Sequence, residues 1–191
     1  MEEITQDGLN FNVYEKGTVS VTGRESGNTD TEIHIPERVS VNGRSFPVTE
    51  IDAQAFSHNN LTSVTIPDSV TSIDDYAFLS NDFTSVTIPD SVRHIGRAAF
   101  GLNQLTSVHI GNSTVEIKNQ TLQSSQVVSI TIGDSQPVEF DKLVERVGVT
   151  YENVTALATL QPERRNSVKE LVLGRGYDLQ DAITALELVY L

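Results

Sequence analysis

Few residues in this chain have the chemistry to make or break a bond. There is no cysteine, which removes thiolate metal sites, disulfide frameworks and cysteine nucleophiles together. Of the four histidines, His34, His58, His94 and His109, none has the paired spacing of an HExxH zinc helix. Gly174-Arg175-Gly176 lacks the third glycine and the preceding strand of a dinucleotide loop, and no GxxxxGK[ST] phosphate loop occurs. Asp74-Asp75 has calcium-ligand chemistry, but no repeat-wide D-x-D pattern accompanies it. These residues predict no catalytic group, no cofactor and no metal, so the chain is not expected to be an enzyme.

The one polar chemistry that recurs on a regular spacing is the hydroxyl. It appears as Thr62, Ser63, Thr65; Thr84, Ser85, Thr87; Thr106, Ser107, His109; and Ser129, Thr131 beside Val128. His34 and His109 fall in the column otherwise filled by Thr65, Thr87 and Thr131. The ligand-binding candidates are therefore Thr62, Thr65, Thr84, Thr87, Thr106, His109 and Thr131. Threonine also suits strand geometry, so the same residues could simply keep an exposed β face in water. Aromatic anchors are absent from this set.

What positions these hydroxyls is a repeat. LTSVTIPDSVTSIDDYAFLSND from Leu61, FTSVTIPDSVRHIGRAAFGLNQ from Phe83 and LTSVHIGNSTVEIKNQTLQSSQ from Leu105 follow one another with a period of 22 residues. A fourth unit opens at Val127, and a degenerate leading unit sets Ile33 and Ile35 beside Val64 and Ile66 before nine additional residues, for four to five coils in all. Apolar residues form columns: Leu61, Phe83, Leu105, Val127; Val64, Val86, Val108, Ile130; Ile66, Ile88, Ile110, Ile132. The alternation Val64-Thr65-Ile66 is that of a half-buried strand, so each coil is expected to contribute one. Adjacent coils would stand about 4.8 Å apart, which leaves His34 and His109 some three strand spacings from each other and unable to share a metal.

A Pro-Asp-Ser turn follows the strand at Pro67–Ser69 and Pro89–Ser91 and becomes Gly111-Asn112-Ser113 and Gly133-Asp134-Ser135 further on. The chain returns through Ile51, Ile73, Ile95 and Ile117, then through Phe56, Phe78, Phe100 and Leu122 behind Ala55, Ala77, Ala99 and Thr121. Small-then-large spacing predicts a tight helical turn there. Asn59, Asn81 and Asn103, with Ser125 in the fourth coil, predict a ladder of side-chain amides bonded to loop backbone. No coil can bury its apolar side alone, so stacking supplies the core.

The pattern LxxVxIPxSVxxIxxxAFxxN over about residues 30–135 resembles the leucine-rich repeats of the bacterial surface-antigen A type, also called the Treponema pallidum type. The resemblance implies a β-rich, right-handed leucine-rich-repeat solenoid of parallel strands, with adhesion or protein recognition as its role. The units depart from it where Gly replaces Pro and Leu122 replaces Phe.

Both ends predict caps. Residues 1–29 contain two alternating strands within LNFNVYEKGTVSVT, around Glu15-Lys16-Gly17, a hairpin where an open core needs cover. Residues 136–191 change period from 2 to 3.6: Phe140, Leu143, Val144 and Val147 mark a helical face ended by Gly148, and further helices are expected near 152–160, 162–173 and 179–190, the last capped by Asp178. Within this segment Gly176-Tyr177 followed by Ala182, Ala185 and Leu186 resembles a ubiquitin-associated domain, although Arg175 stands where that family has Met. The resemblance implies a rival role, an intracellular adaptor whose tail binds ubiquitin.

With 26 acidic against 13 basic residues and a formal charge of −13, a polyanion would be repelled, so neither nucleic acid nor an anionic membrane is the expected partner. The N-terminus lacks the basic and apolar regions of a signal peptide and no run reaches membrane-spanning length. The sequence leaves the location open: cell surface or secreted if a signal was removed, otherwise cytoplasmic. The chain is expected to be a non-enzymatic module that recognises a protein or a glycan.

Overall fold

The computed structural model describes residues 1–111 in full, and beyond them the backbone of strands Glu116–Ile117, Ser129–Ile132 and Val138–Glu139. The helices expected within 140–190, the ubiquitin-associated resemblance and the side chains of Leu122, Val127 and Thr131 lie outside the described residues.

Three antiparallel strands open the chain: β1 (Glu2–Gln6), β2 (Leu9–Val13) and β3 (Val19–Arg24). The expected hairpin closes between β2 and β3, where the Gly17 amide donates to the Tyr14 carbonyl at 2.9 Å and Gly17 sits at φ +86°. Strand β1 was not foreseen. It turns into β2 through Asp7-Gly8, both left-handed at φ +52° and +75°, the dipeptide a two-residue hairpin requires. Leu9, Phe11, Val13, Val19 and Val21 are all buried.

The first coil contains β4 (Glu32–His34), then a second unforeseen hairpin of β5 (Arg38–Val41) and β6 (Arg44–Ile51), which accommodates the additional residues. Asn42 and Gly43 turn it at φ +50° and +76°. Later coils contribute β7 (Ser63–Thr65), β9 (Ser85–Ile88), β11 (Ser107–Ile110) and β13 (Ser129–Ile132) on one side. On the return they add β8 (Ser72–Ile73), β10 (His94–Ile95) and β12 (Glu116–Ile117). The expectation of one strand per coil is thus corrected to two, because the return column Ile51, Ile73, Ile95 and Ile117 forms a parallel ladder of its own.

That return sheet also explains the N-terminal cap. Strand β3 pairs in parallel with β6, aligning Val21 with Ile51, so the order is β1-β2-β3-β6-β8-β10-β12. The cap covers the open core by continuing the sheet rather than by lying across it. Close approach at the join demands glycine: a Cβ on Gly23, at φ +149°, would stand 2.8 Å from the Ala55 carbonyl oxygen. On the other side β4 pairs with β7, and β9-β11-β13 pair in parallel with β14 (Val138–Glu139) antiparallel at their end. Strand β14 takes the edge of β13, a use of residues 138–139 that the sequence reading did not anticipate.

Between the sheets the columns meet as expected. Leu61, Phe83 and Leu105, Ile51, Ile73 and Ile95, and Phe56, Phe78 and Phe100 are buried. The three aligned phenylalanines stack with centroids 5.4 Å and 5.1 Å apart. Phe83 meets Phe78 edge-on at 5.8 Å.

The predicted helical turn in front of these rings is not helical. Ala77 and Leu79 amides close short turns onto Asp74 and Tyr76 carbonyls, whereas Tyr76, Phe78 and Ser80 amides donate to Arg97, Ala99 and Gly101 of the next coil at 2.9, 2.8 and 2.9 Å. Left-handed residues make this alternation possible: Gln54, Tyr76 and Ala98 in one column and His58, Ser80 and Leu102 in another have φ between +48° and +61°. An α-helical turn would have spent those amides inside its own coil.

The asparagine ladder is present. Asn81 donates through Nδ2 to the Phe56 and Phe78 carbonyls at 2.8 and 3.0 Å and accepts through Oδ1 from the Leu61 amide at 2.9 Å. Asn103 repeats this, donating to Phe78 and Phe100 at 3.0 and 2.9 Å. Arg24 of the cap supplies the rung before Asn59, donating through Nη1 to the Asn59 backbone carbonyl at 2.9 Å and through Nη2 to the Asp30 backbone carbonyl at 2.8 Å.

Candidate functional site

The strands β4, β9 and β11 alternate as the sequence requires, with Ile33, Val86, Ile88, Val108 and Ile110 buried and the residues between them facing outward, whereas in β7 Val64 is half-buried and Ile66, just beyond the strand, is buried. Thr62, Thr65, Thr84, Thr87 and Thr106 are all exposed, and His109 is half-buried. Pairing aligns Thr87, His109 and Thr131, and separately His34 with Thr65. No ladder joins β7 to β9, so the outward face consists of two parallel sheets side by side.

The hydroxyls on this face differ in what they already do. Thr62 and Thr106 donate to the carbonyls of Thr31 and Thr84 in the preceding coil, each at 3.2 Å. Their protons are engaged in stacking. Thr65, Thr84 and Thr87 make no side-chain hydrogen bond among the described residues, so their hydroxyls are available to donate and to accept.

Beside the face stands a line of carboxylates, of which the sequence reading includes only Asp68 and Asp90, as turn residues. Glu32 lies on β4, while Glu37, Asp68 and Asp90 each follow a proline at the exit of a strand, and all four are exposed. The recurring Pro-acid pair was the available signal. Where Gly111 replaces proline, its amide donates to the Ile88 carbonyl at 2.8 Å. A Cβ there would come within 2.1 Å of the Asp90 carboxylate.

Other candidates disperse. His34 and His109 lie on strands separated by β7 and β9, and among the described residues no group of three potential ligands could hold a metal ion. His58 is exposed on a turn and His94 half-buried in β10. Asp74 and Asp75 part company: Asp74 accepts from the Ser72 hydroxyl at 3.1 Å and Asp75 from the Arg97 amide at 2.7 Å. Among the described residues no helix is long and apolar enough to cross a membrane.

Known proteins share this architecture. Residues 31–140 match the BspA type leucine rich repeat region in six copies. A leucine-rich repeat protein from Bacteroides capillosus is 27% identical with a TM-score of 0.58, the match covering 68% of this chain and 97% of that one. A leucine rich cell surface protein from Faecalibacterium prausnitzii is 25% identical with a TM-score of 0.55, covering 69% of this chain but only 43% of that one. The leucine rich repeat protein of T. pallidum shares the fold at 16% identity and a TM-score of 0.51, covering 68% of this chain and 71% of that one. No curated protein matches. With its repeats matched over 31–140, more than half of its length, the chain belongs to the BspA type leucine-rich-repeat family.

Proposed function

We propose that this chain is a non-enzymatic recognition module that holds a protein ligand on its strand face, through Thr62, Thr65, Thr84, Thr87, Thr106, His109 and Thr131. The observation that carries this reading is the set of exposed hydroxyls at Thr65, Thr84 and Thr87 that stacking leaves unused. Held on strands β7 and β9 or, for Thr84, at the entry to β9, they form a fixed hydrogen-bonding array whose ordering cost is met by folding, not by binding. Flanking Glu32, Glu37, Asp68 and Asp90 favour a ligand with a cationic surface, which such charges would also steer toward the face. Likeness to a cell surface protein of F. prausnitzii supports display outside the cell.

Thr65→Lys, Thr87→Lys and His109→Lys combined test the assignment. Labelled full chain and triple variant would be applied side by side to a panel of extracellular-matrix proteins and immobilised glycans. Protein binding lost in the variant, with its circular dichroism and melting temperature unchanged, is the expected result. Undiminished binding by a folded variant would move the site elsewhere, and binding to glycans alone would replace the ligand class.

A further inference from the structure

The outward side of the N-terminal cap is hollowed. Pairing of β1 with β2 sets Glu3 opposite Asn12 and Thr5 opposite Asn10. Residues two apart on a strand share a face, so these four stand on the side away from Leu9, Phe11 and Val13, which are buried. Between β2 and β3 the register slips: Phe11 aligns with Val21 but Asn10 with Gly23, which leaves Thr22 as the extra residue of a bulge. A bulge bends and twists its strand and re-aims the side chain it carries. The result is an open concavity of about 520 Å³ walled by Glu3, Thr5, Asn10, Asn12 and Thr22. Its size lies within the range of about 300–1,000 Å³ usual for small-ligand sites.

The polar groups of this concavity fall into two sets. The Thr5 hydroxyl donates to Asn10 Oδ1 at 2.8 Å, and Asn10 donates through Nδ2 to the Arg24 backbone carbonyl at 2.8 Å. One wall is thereby fixed to Arg24, itself tied to Asn59 and Asp30. Glu3, Asn12 and Thr22 make no side-chain hydrogen bond among the described residues. They offer a carboxylate that only accepts, a carboxamide that donates and accepts, and a hydroxyl that does both.

That set selects a ligand class. No lysine, arginine or histidine is among the lining residues, so nothing there attracts an anion. A single exposed carboxylate is thin provision for a cation. Phe11 beneath the concavity is fully buried and presents no ring to an apolar guest. Vicinal hydroxyls fit, because each can donate and accept at once. Side chains directly opposite on paired strands start about 4.5–5.5 Å apart, so Glu3 and Asn12 can hold neighbouring hydroxyls of one ring.

We propose that the cap carries a carbohydrate site, in which Glu3 accepts from and Asn12 bridges two vicinal hydroxyls of a neutral sugar unit. Thr22 holds a third polar group, and the Thr5–Asn10 pair shapes the fixed wall. The site is separate from the strand face, since β1, β2 and β3 belong to the return sheet and Thr65 and Thr87 to the other two sheets. Two or three hydrogen bonds exchanged for water hold a single sugar unit weakly, with a dissociation constant on the order of 1 mM. Display of several such units on one glycan would strengthen attachment through multivalency.

The test titrates the isotope-labelled full-length chain with the methyl glycosides of glucose, galactose, mannose and N-acetylglucosamine, and with methylammonium chloride as the cationic probe, following amide chemical shifts. At least one glycoside should shift the Asn12 and Thr22 amides saturably while leaving those of Thr65 and Thr87 in place. Asn12→Ala and Glu3→Ala should each weaken that binding about two- to tenfold, the effect of one net hydrogen bond. Neither should alter the circular dichroism, because neither side chain has a partner in the fold. Absence of a saturable shift with every glycoside, shifts centred on Thr65 and Thr87, equal shifts with methylammonium chloride, or undiminished glycoside binding when both substitutions are combined would each overturn the site. Should the variants fail to fold, the shift map of the parent chain decides alone.

Discussion

Phe78→Ala removes the ring at the centre of the phenylalanine column. The side chain is fully buried, and it is stacked on Phe56 at 5.4 Å, stacked on Phe100 at 5.1 Å and met edge-on by Phe83 at 5.8 Å. Replacing a buried phenylalanine by alanine costs roughly 3–5 kcal/mol through lost burial and the cavity left behind. Each aromatic pair adds about 0.5–1.5 kcal/mol beyond area, so three broken pairs place this site at the upper end. Collapse cannot relieve the cavity easily, because the Phe56 and Phe78 backbones are tied to neighbouring coils by the return-turn amides and the asparagine ladder. In a repeat array stability is a nearest-neighbour property, and the loss falls on two interfaces at once. Urea unfolding followed by circular dichroism reads the change, with exposed Thr65→Ala as a control expected within about 0.5 kcal/mol of the parent. Phe78→Leu, which keeps bulk but not stacking, should fall between. A Phe78→Ala loss below about 1 kcal/mol, or one equal to the control, would mean that the column does not carry the core.

Asn81→Ala should cost about 3 kcal/mol or more, since the Phe56 and Phe78 carbonyls and the Leu61 amide lose their partner and each buried unsatisfied group costs about 1–3 kcal/mol; calorimetry would show it, and a neutral effect would mean that water replaces the amide. Ala98→Gly should instead stabilise by about 1 kcal/mol, because Ala98 is held at φ +48° where a Cβ costs roughly 1–2 kcal/mol. A lower melting temperature for that variant would show that the buried methyl group contributes more packing than it costs in strain.

Much of this molecule is written in its residue types at fixed spacing. The inward columns, the outward hydroxyls and the asparagine ladder follow from the 22-residue period, because stacking repeats puts equivalent residues in equivalent environments. Asp7-Gly8 and Asn42-Gly43 were also legible as hairpin turns, since both residues of such turns need positive φ. They lie in segments that interrupt the period, so the repeat pattern by itself does not place them. Other features had no local signature. The return strands Ser72–Ile73 and His94–Ile95 are two residues long, too short for alternation to register, and they exist only because a neighbouring coil offers its carbonyls. Nothing in tyrosine or alanine announces the left-handed conformation that Tyr76 and Ala98 adopt. It is imposed by the demand that alternate amides reach the next coil, and so the expected helical turn gave way. The join of cap to coils was likewise decided in three dimensions: the two come from separate segments, and only parallel pairing of β3, β6 and β8 sets Ser20 beside Glu50 and Glu50 beside Ser72.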